Sequence, residues 1–183
     1  MGTATHCFAI SVMFHDQVGI VAEISSAVKK IGGNLLDVSQ TVLRGYFSMI
    51  LLGEYPENIT EKHIRNVLES ITTLQGAQFG VLPFMPDDLH DAPRQDDTYI
   101  LTASGPDQPG LVATLSQYLK ERGINIVDLA SRIHNGEYTM VWQIQIPNTL
   151  DVPKLQKSMQ LALQPTLTIG LRHQALFQAT NEI

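Results

Sequence analysis

Cysteine is almost absent from this sequence. Cys7 stands alone among 183 residues, which excludes an internal disulfide framework and any multi-cysteine metal site. A reducing compartment is the easy fit. Basic charge is also scarce, with 12 Lys and Arg against 18 Asp and Glu and a net charge of −6. Phosphate contacts supply most non-specific affinity for nucleic acid, and no basic cluster offsets the deficit, so direct DNA or RNA binding is not expected. No apolar run approaches the roughly 18 residues of a membrane span. The start, Met1-Gly2-Thr3-Ala4-Thr5-His6, lacks the basic and apolar regions of a signal peptide, and His6 stands where a myristoylation motif needs Ser or Thr. The expectation is a soluble cytoplasmic protein. What is present is an ordinary globular balance, 44% hydrophobic and 16% charged, too apolar for a disordered tail.

The sequence repeats itself. At an offset of 91 positions, Asp16-Gln17-Val18-Gly19-Ile20-Val21-Ala22 falls on Asp107-Gln108-Pro109-Gly110-Leu111-Val112-Ala113. The same offset pairs Ser25 with Ser116, Lys29 with Lys120, Gly32 with Gly123, Asn34 with Asn125, Asp37 with Asp128, Gly45 with Gly136 and Met49 with Met140. Such self-similarity indicates two copies of one structural unit. Between them, Pro83 to Asp97 holds three prolines, five aspartates and one basic residue, Arg94. That composition disfavours helix and central strand and reads as a solvated linker. The expected organisation is a first domain over 1–85, a linker over 86–96 and a second domain over 97–183.

Each copy carries the same succession of elements. Cys7 to Phe14 and Thr98 to Ser104 read as first strands. A helix follows over about Val18 to Ile31, with Ile20, Val21, Ile24, Ala27, Val28 and Ile31 at helical spacing, and Leu111, Val112, Leu115, Tyr118 and Leu119 form the matching stripe. Pro109 suits the first turn of the second copy's helix, and Gly32-Gly33 and Gly123 suit the helix ends. Leu36, Val38 and Val42, like Val127, Leu129 and Ile133, alternate with polar residues as strands do. Tight turns at Leu43-Arg44-Gly45 and His134-Asn135-Gly136 lead into third strands over Tyr46 to Gly53 and Tyr138 to Ile146. Second helices start at Thr60 and Asp151, good N-caps, and bury Ile64, Val67, Leu68 and Ile71, or Leu155, Met159, Ala162 and Leu163. Last strands alternate Ala77, Phe79 and Val81, or Leu167, Ile169 and Leu171.

The fold class is therefore α+β, two ferredoxin-like βαββαβ domains, each an antiparallel sheet with helices on one face. The fold does not select a function. Metal chaperones of this shape need a pair of cysteines. RNA-recognition modules need stacking aromatics on the third strand, and Arg44-Gly45-Tyr46-Phe47-Ser48 places Ser48 where the second one belongs. Ile50, Leu52 and Val141 fall on the sheet face away from the helices, so that face or an edge is expected to meet the other copy or another subunit.

The loop Asp-Gln-x-Gly-hydrophobic-Val-Ala, with Gly-Gly-Asn or Gly-Ile-Asn opening the second strand, resembles the ACT domain, a regulatory module that commonly binds amino acids. Two such copies with little else resemble the glycine cleavage system transcriptional repressor family, in which the pair acts on a separate DNA-binding regulator. The resemblance implies a non-enzymatic sensor of a small amino acid, glycine by family likeness. It also implies a protein partner and either homo-oligomers or pairing of the two ACT copies within the chain. A regulatory subunit of an amino-acid or nitrogen-metabolism enzyme is the alternative, and a purely structural dimerisation module is a third.

The chemistry of the loop supports a ligand site. Free N–H groups and the dipole at a helix start attract a carboxylate, and Gly19 and Gly110 leave the backbone approachable. Asp16 or Asp107 can accept from an ammonium group, and Gln17, Gln108, Asn34 and Asn125 offer amides. The candidate set is His15, Asp16, Gln17, Val18, Gly19, Ile20, Asn34 and Leu35 in the first copy. In the second it is Asp107, Gln108, Pro109, Gly110, Leu111, Asn125 and Ile126. A His before the loop resembles the amino-acid-binding form of the ACT loop; Pro106 replaces it in the second copy, so the first loop is preferred. Structural roles stand beside these: helix-on-sheet packing for the glycines, turn capping for the asparagines, dipole complement for the aspartates. The six histidines show no metal-ligand spacing, and no nucleophile–base set repeats. No catalytic residue, metal or cofactor is expected, and Cys7 reads as a small buried hydrophobe.

Overall fold

The computed structural model describes residues 5–85, 96–163 and 167–175. The chain divides into two compact units, Met1–Asp91 and Ala92–Ile183. The first contains β1 (Thr5–His15), α1 (Ile20–Lys30), β2 (Asn34–Leu43), β3 (Tyr46–Pro56), α2 (Glu61–Glu69) and β4 (Gln78–Phe84). The second contains β5 (Asp96–Pro106), α3 (Leu111–Lys120), β6 (Asn125–His134), β7 (Glu137–Pro147), α4 (Val152–Leu163) and β8 (Thr168–His173). Each unit is a four-stranded antiparallel sheet, ordered β2-β3-β1-β4 and β6-β7-β5-β8. This is the βαββαβ arrangement expected from the repeat.

The linker assigned to 86–96 lies outside the described residues except at Asp96, which opens β5. Pro83 and Phe84, at the start of that proline-containing stretch, belong to β4 instead. β4 is an edge strand, the place in a sheet where proline is tolerated.

Period-2 burial follows the strands. Phe8, Ile10 and Val12 of β1 and Phe47, Met49 and Leu51 of β3 turn inward, as do Met140, Trp142, Ile144 and Ile146 of β7. Against them pack Ile20, Ile24, Ala27 and Val28 of α1, Ile64 and Leu68 of α2, and Leu111, Leu115, Tyr118 and Leu119 of α3. Leu155, Met159 and Leu163 do the same from α4. Val21 falls in the first stripe by helical spacing, yet it is 43% exposed, one residue past the buried face. Ala162 is exposed for the same reason, because the stripe 155-159-163 turns it outward.

Helix α1 starts at Ile20, two residues later than the periodicity predicts, and α3 starts at Leu111. Gly19 and Gly110 occupy the N-cap positions in the left-handed conformation, φ +100° and +91°, so Val18 and Pro109 precede the helices instead of opening them. The expected helix ends hold, with Gly32 and Gly123 at φ +79° and +67° and the Gly33 N–H donating to the Val28 carbonyl at 3.0 Å. Thr60 caps α2, accepting from the His63 N–H at 3.2 Å, and Asp151 caps α4, accepting from the Lys154 N–H at 3.0 Å. A single 3₁₀ turn, Thr72–Leu74, follows α2 and was not foreseen.

The two cores solve one packing problem differently. Tyr55 is fully buried, and its ring lies where a Cβ on Gly33 or Gly53 would stand, 2.5 Å and 3.0 Å from the nearest ring carbons. At the repeat-related positions the second unit has Ile146, Ile124 and Ile144, all buried. One large ring over two glycines stands where the second unit has three branched side chains, so the two cores fill equivalent positions with different side chains. The Tyr55 hydroxyl has no hydrogen-bond partner among the described residues, and burial pushes its pKa up to about 12.

Candidate functional site

The β1–α1 loop is held from its backbone. The Asp16 N–H donates to the Gly45 carbonyl at 2.8 Å, and the Asp107 N–H donates to that of Gly136 at 3.0 Å. The β2–β3 and β6–β7 hairpins supply these carbonyls through two-residue turns, Arg44-Gly45 and Asn135-Gly136, in which all four residues have positive φ. The Gln17 side-chain amide donates to the Thr73 carbonyl at 2.8 Å, fastening the loop to the 3₁₀ turn.

What this leaves open is the start of the helix. A Ser or Asp N-cap would occupy one of the first N–H groups with its own oxygen; Gly19 and Gly110 cannot, and neither helix has a side-chain cap. The packing role considered for these glycines is excluded, because a Cβ on either would meet no atom within 4 Å. Their left-handed φ, not crowding, requires glycine.

Two cavities flank this helix start in the first unit. One, about 320 Å³, is lined by Asp16, Gln17, Gly19, Ile20, Gln40 and Phe47, among others. The second, about 290 Å³, lies toward Val18, Glu23, Thr73 and Leu74. In the second unit a cavity of about 210 Å³ borders Gln108, Pro109, Gly110, Leu111 and Thr114. The Asp16 and Asp107 carboxylates are exposed and have no partner among the described residues. Ile20 and Leu111 send their side chains into the cores, so their backbone N–H groups, not their side chains, face the loop.

The structure separates the candidates at the start of the second strand of each unit from the loop. Asn34 pairs with Glu54 at the other end of the sheet and borders a cavity of about 720 Å³ with Gly32, Glu54 and Glu57. Leu35 and Ile126 are half-buried against the cores. The Asn125 amide donates to Gln145 Oε1 at 3.1 Å, a cross-strand contact. His15 lines neither loop cavity of its unit; its exposed ring stacks on Tyr46, centroids 4.8 Å apart. Gln40, Phe47, Glu23 and Thr73 were not anticipated at the loop. Gln40 carried a signal, since it is the polar member of the row Val38-Gln40-Val42. Among the described residues no three His, Cys, Asp or Glu side chains gather to hold a metal ion, and no helix is long and apolar enough to cross a membrane. Cys7 is buried in β1, and burial, then the Glu54 carboxylate, pushes its thiol pKa up.

Comparison with known proteins agrees with this architecture. A UPF0237 protein of Methanosarcina mazei is 44% identical over 50 residues, which are 27% of this chain and 54% of that protein's own length. The crystal structure of an unknown protein from Galdieria sulphuraria, 28% identical, superposes with a TM-score of 0.75 over 93% of this chain and 99% of that one. Another, of a protein provisionally designated a glycine cleavage system transcriptional repressor, is 16% identical with a TM-score of 0.68 over 92% and 98%. At that identity the likeness is one of fold. The sequence model of the ACT domain matches twice, over residues 6–81 and 97–170. With both βαββαβ units matched, the chain belongs to the ACT domain family.

Proposed function

We propose that this protein is a non-enzymatic regulator that senses a small amino acid at the β1–α1 loop of its first unit and acts on transcription through a separate DNA-binding regulator. The observation that carries the reading is the glycine N-cap. Gly19 leaves the first N–H groups of α1 without a side-chain cap, beside a cavity that the Asp16 residue also lines. A zwitterion matches that pattern, its carboxylate at the helix start and its ammonium group at Asp16. The helix end alone contributes about 0.3–1 kcal/mol when exposed and about 2 kcal/mol when partly buried, so selection requires the ammonium contact and the cavity walls as well. Glycine is the effector suggested by the resemblance of the loop and second-strand motifs to the glycine cleavage system transcriptional repressor family. Domains over 1–85 and 97–183 joined by 86–96, cytoplasmic location, and association of ACT-type units between copies or within the chain belong to the same reading.

A ligand changes partner affinity only by its differential affinity for two states of the protein. Calorimetry of the intact chain against the twenty amino acids tests the first step. Saturable binding of glycine or another small amino acid, lost in Asp16→Asn without loss of stability, is the expected result. No heat at millimolar concentration with any of them overturns the sensor. Affinity capture from the native cell then separates the partners: a DNA-binding regulator supports the proposal, and a metabolic enzyme replaces it with a regulatory-subunit role.

A further inference from the structure

The two loops share a backbone arrangement but not the wall that faces them from the sheet. In the first unit the cavity of about 320 Å³ joins the loop residues Asp16, Gln17 and Gly19 to Gln40 of β2 and Phe47 of β3. The cavity at the second helix start, about 210 Å³, runs instead from Gln108 and Gly110 toward α4 and Leu167. Asp107 does not border it, and neither does any residue of β6 or β7. The second loop therefore has a helix start and a carboxylate, but no cavity that holds both.

One pair of positions distinguishes the two walls. The offset of 91 sets Gln40 on Ser131 and Phe47 on Tyr138. Gln40 stands opposite Met49, and Ser131 opposite Met140. Each is thus a diagonal neighbour of its aromatic partner on the helix side of the sheet, within reach of a long side chain. In the second unit the Tyr138 hydroxyl donates to Ser131 Oγ at 2.9 Å. Both polar groups are spent on each other, and a ligand that displaced the contact would first have to replace it. In the first unit Phe47 has no hydroxyl and is 2% exposed. The Gln40 amide is exposed and has no hydrogen-bond partner among the described residues. It offers two N–H donors and an acceptor beside an apolar ring, the combination that fixes a small ligand in a pocket.

We propose that Gln40 and Phe47 set the affinity of the loop site, so that the chain has one principal effector site, at Asp16 and Gly19, and a much weaker one at Asp107 and Gly110. This rests on the sensor reading above and names the residues that rank its two loops. Gln40 supplies a donor to the effector carboxylate beside the uncapped helix N–H groups, Asp16 takes the ammonium group, and the Phe47 ring closes the sheet side. The ranking then lies in the sheet, and His15, which lines neither cavity, has no part in it.

Calorimetry of the full chain with each of the twenty amino acids reads the number of sites. One site per chain is expected, with any second site weaker by about tenfold or more. Two sites of equal affinity overturn the inference and leave the sensor standing; no heat from any amino acid overturns both. Gln40→Ser, at an exposed position, is expected to weaken the tight site about tenfold with an unchanged urea midpoint. Adding Phe47→Tyr, which transplants the pair of the second unit, is expected to weaken it further. The reciprocal change, Ser131→Gln with Tyr138→Phe, is expected to bring the second site toward the affinity of the first. Asp16→Asn is expected to remove the tight site and Asp107→Asn to leave it. A tight site that survives both Gln40 variants, or that is lost in Asp107→Asn and kept in Asp16→Asn, overturns the proposal.

Discussion

Replacing Gly19 or Gly110 by alanine isolates a purely conformational requirement. Both residues hold positive φ, +100° and +91°, and a Cβ at either meets nothing within 4 Å, so no steric term enters. An L-residue in the left-handed region costs about 1–2 kcal/mol, while alanine restricts the unfolded chain and returns about 0.4–1 kcal/mol. The net loss is about 1 kcal/mol, which at an m-value of about 1 kcal/mol/M lowers the urea midpoint by about 1 M. Asparagine enters the left-handed region several-fold more readily than other residues, so Gly→Asn is expected to lose less than Gly→Ala at each site. Trp142 is the only tryptophan in the chain and lies in the core of the second unit. Its fluorescence reads the Gly110 series, and far-ultraviolet circular dichroism reads the Gly19 series. If packing were the requirement, the loss would grow with side-chain volume and asparagine would be worse than alanine. That ranking at either site would refute the conformational argument and weaken the uncapped helix start on which the ligand site depends.

The exchange between the two cores predicts that Gly33→Ala destabilises the first unit by about 1–3 kcal/mol, the cost of overpacking. Its Cβ would fall 2.5 Å from Tyr55 Cε1 and 2.7 Å from Val28 Cγ1. Adding Tyr55→Ile, the residue of the second copy, is expected to recover part of that loss in urea titration, and strict additivity of the two changes would contradict it. The Asp151 carboxyl has its pKa held below the ordinary 3.8, first by the Lys154 backbone N–H and then by that residue's side chain. Because the folded value is the lower one, the cap's contribution is fully present above the unfolded pKa and is lost as pH falls through the folded value. The difference in urea midpoint between the wild type and Asp151→Ala, followed by Trp142 fluorescence, is expected to be constant near neutrality and to shrink below pH 3.8; a difference that grows on acidification would contradict the assignment.

Topology was legible because the signals that specify it are local and occur twice. Asn135-Gly136 and Arg44-Gly45 set two-residue turns, and the 91-residue offset removes any ambiguity of one copy by reference to the other. Burial was less legible. Val38, Val42, Leu129 and Ile133 alternate as half-buried strands do, but β2 and β6 are edges beyond the reach of the helices, and strand order is a long-range property that alternation does not encode. Helix starts are poorly marked in the sequence for a related reason. Val18 and Pro109 extend the apolar and N1 signals by two residues, and only the positive φ of the next glycine ends the helix there. The loop half of the candidate site is visible in sequence, whereas Asn34, joined to it by amide chemistry and family likeness, stands with Leu35 at the far end of their own sheet.

What the two copies have kept and lost separates structural from chemical demands. Where a packing solution can be exchanged it has been, as Tyr55 over two glycines against three isoleucines shows. At three positions of positive φ glycine is retained in both copies, at 19 and 110, 32 and 123, 45 and 136. Asp16 and Asp107 fit neither class. Their backbone N–H groups anchor the loop, a task any residue but proline performs. Their carboxylates are exposed and unpartnered among the described residues. A dipole complement would account for a negative charge there, yet Glu23 in the first turn of α1 has become Thr114 in α3, so the fold does not hold that kind of charge fixed. A side chain retained in both copies with no packing, backbone or hydrogen-bonding role inside its own unit is best explained by something it meets from outside.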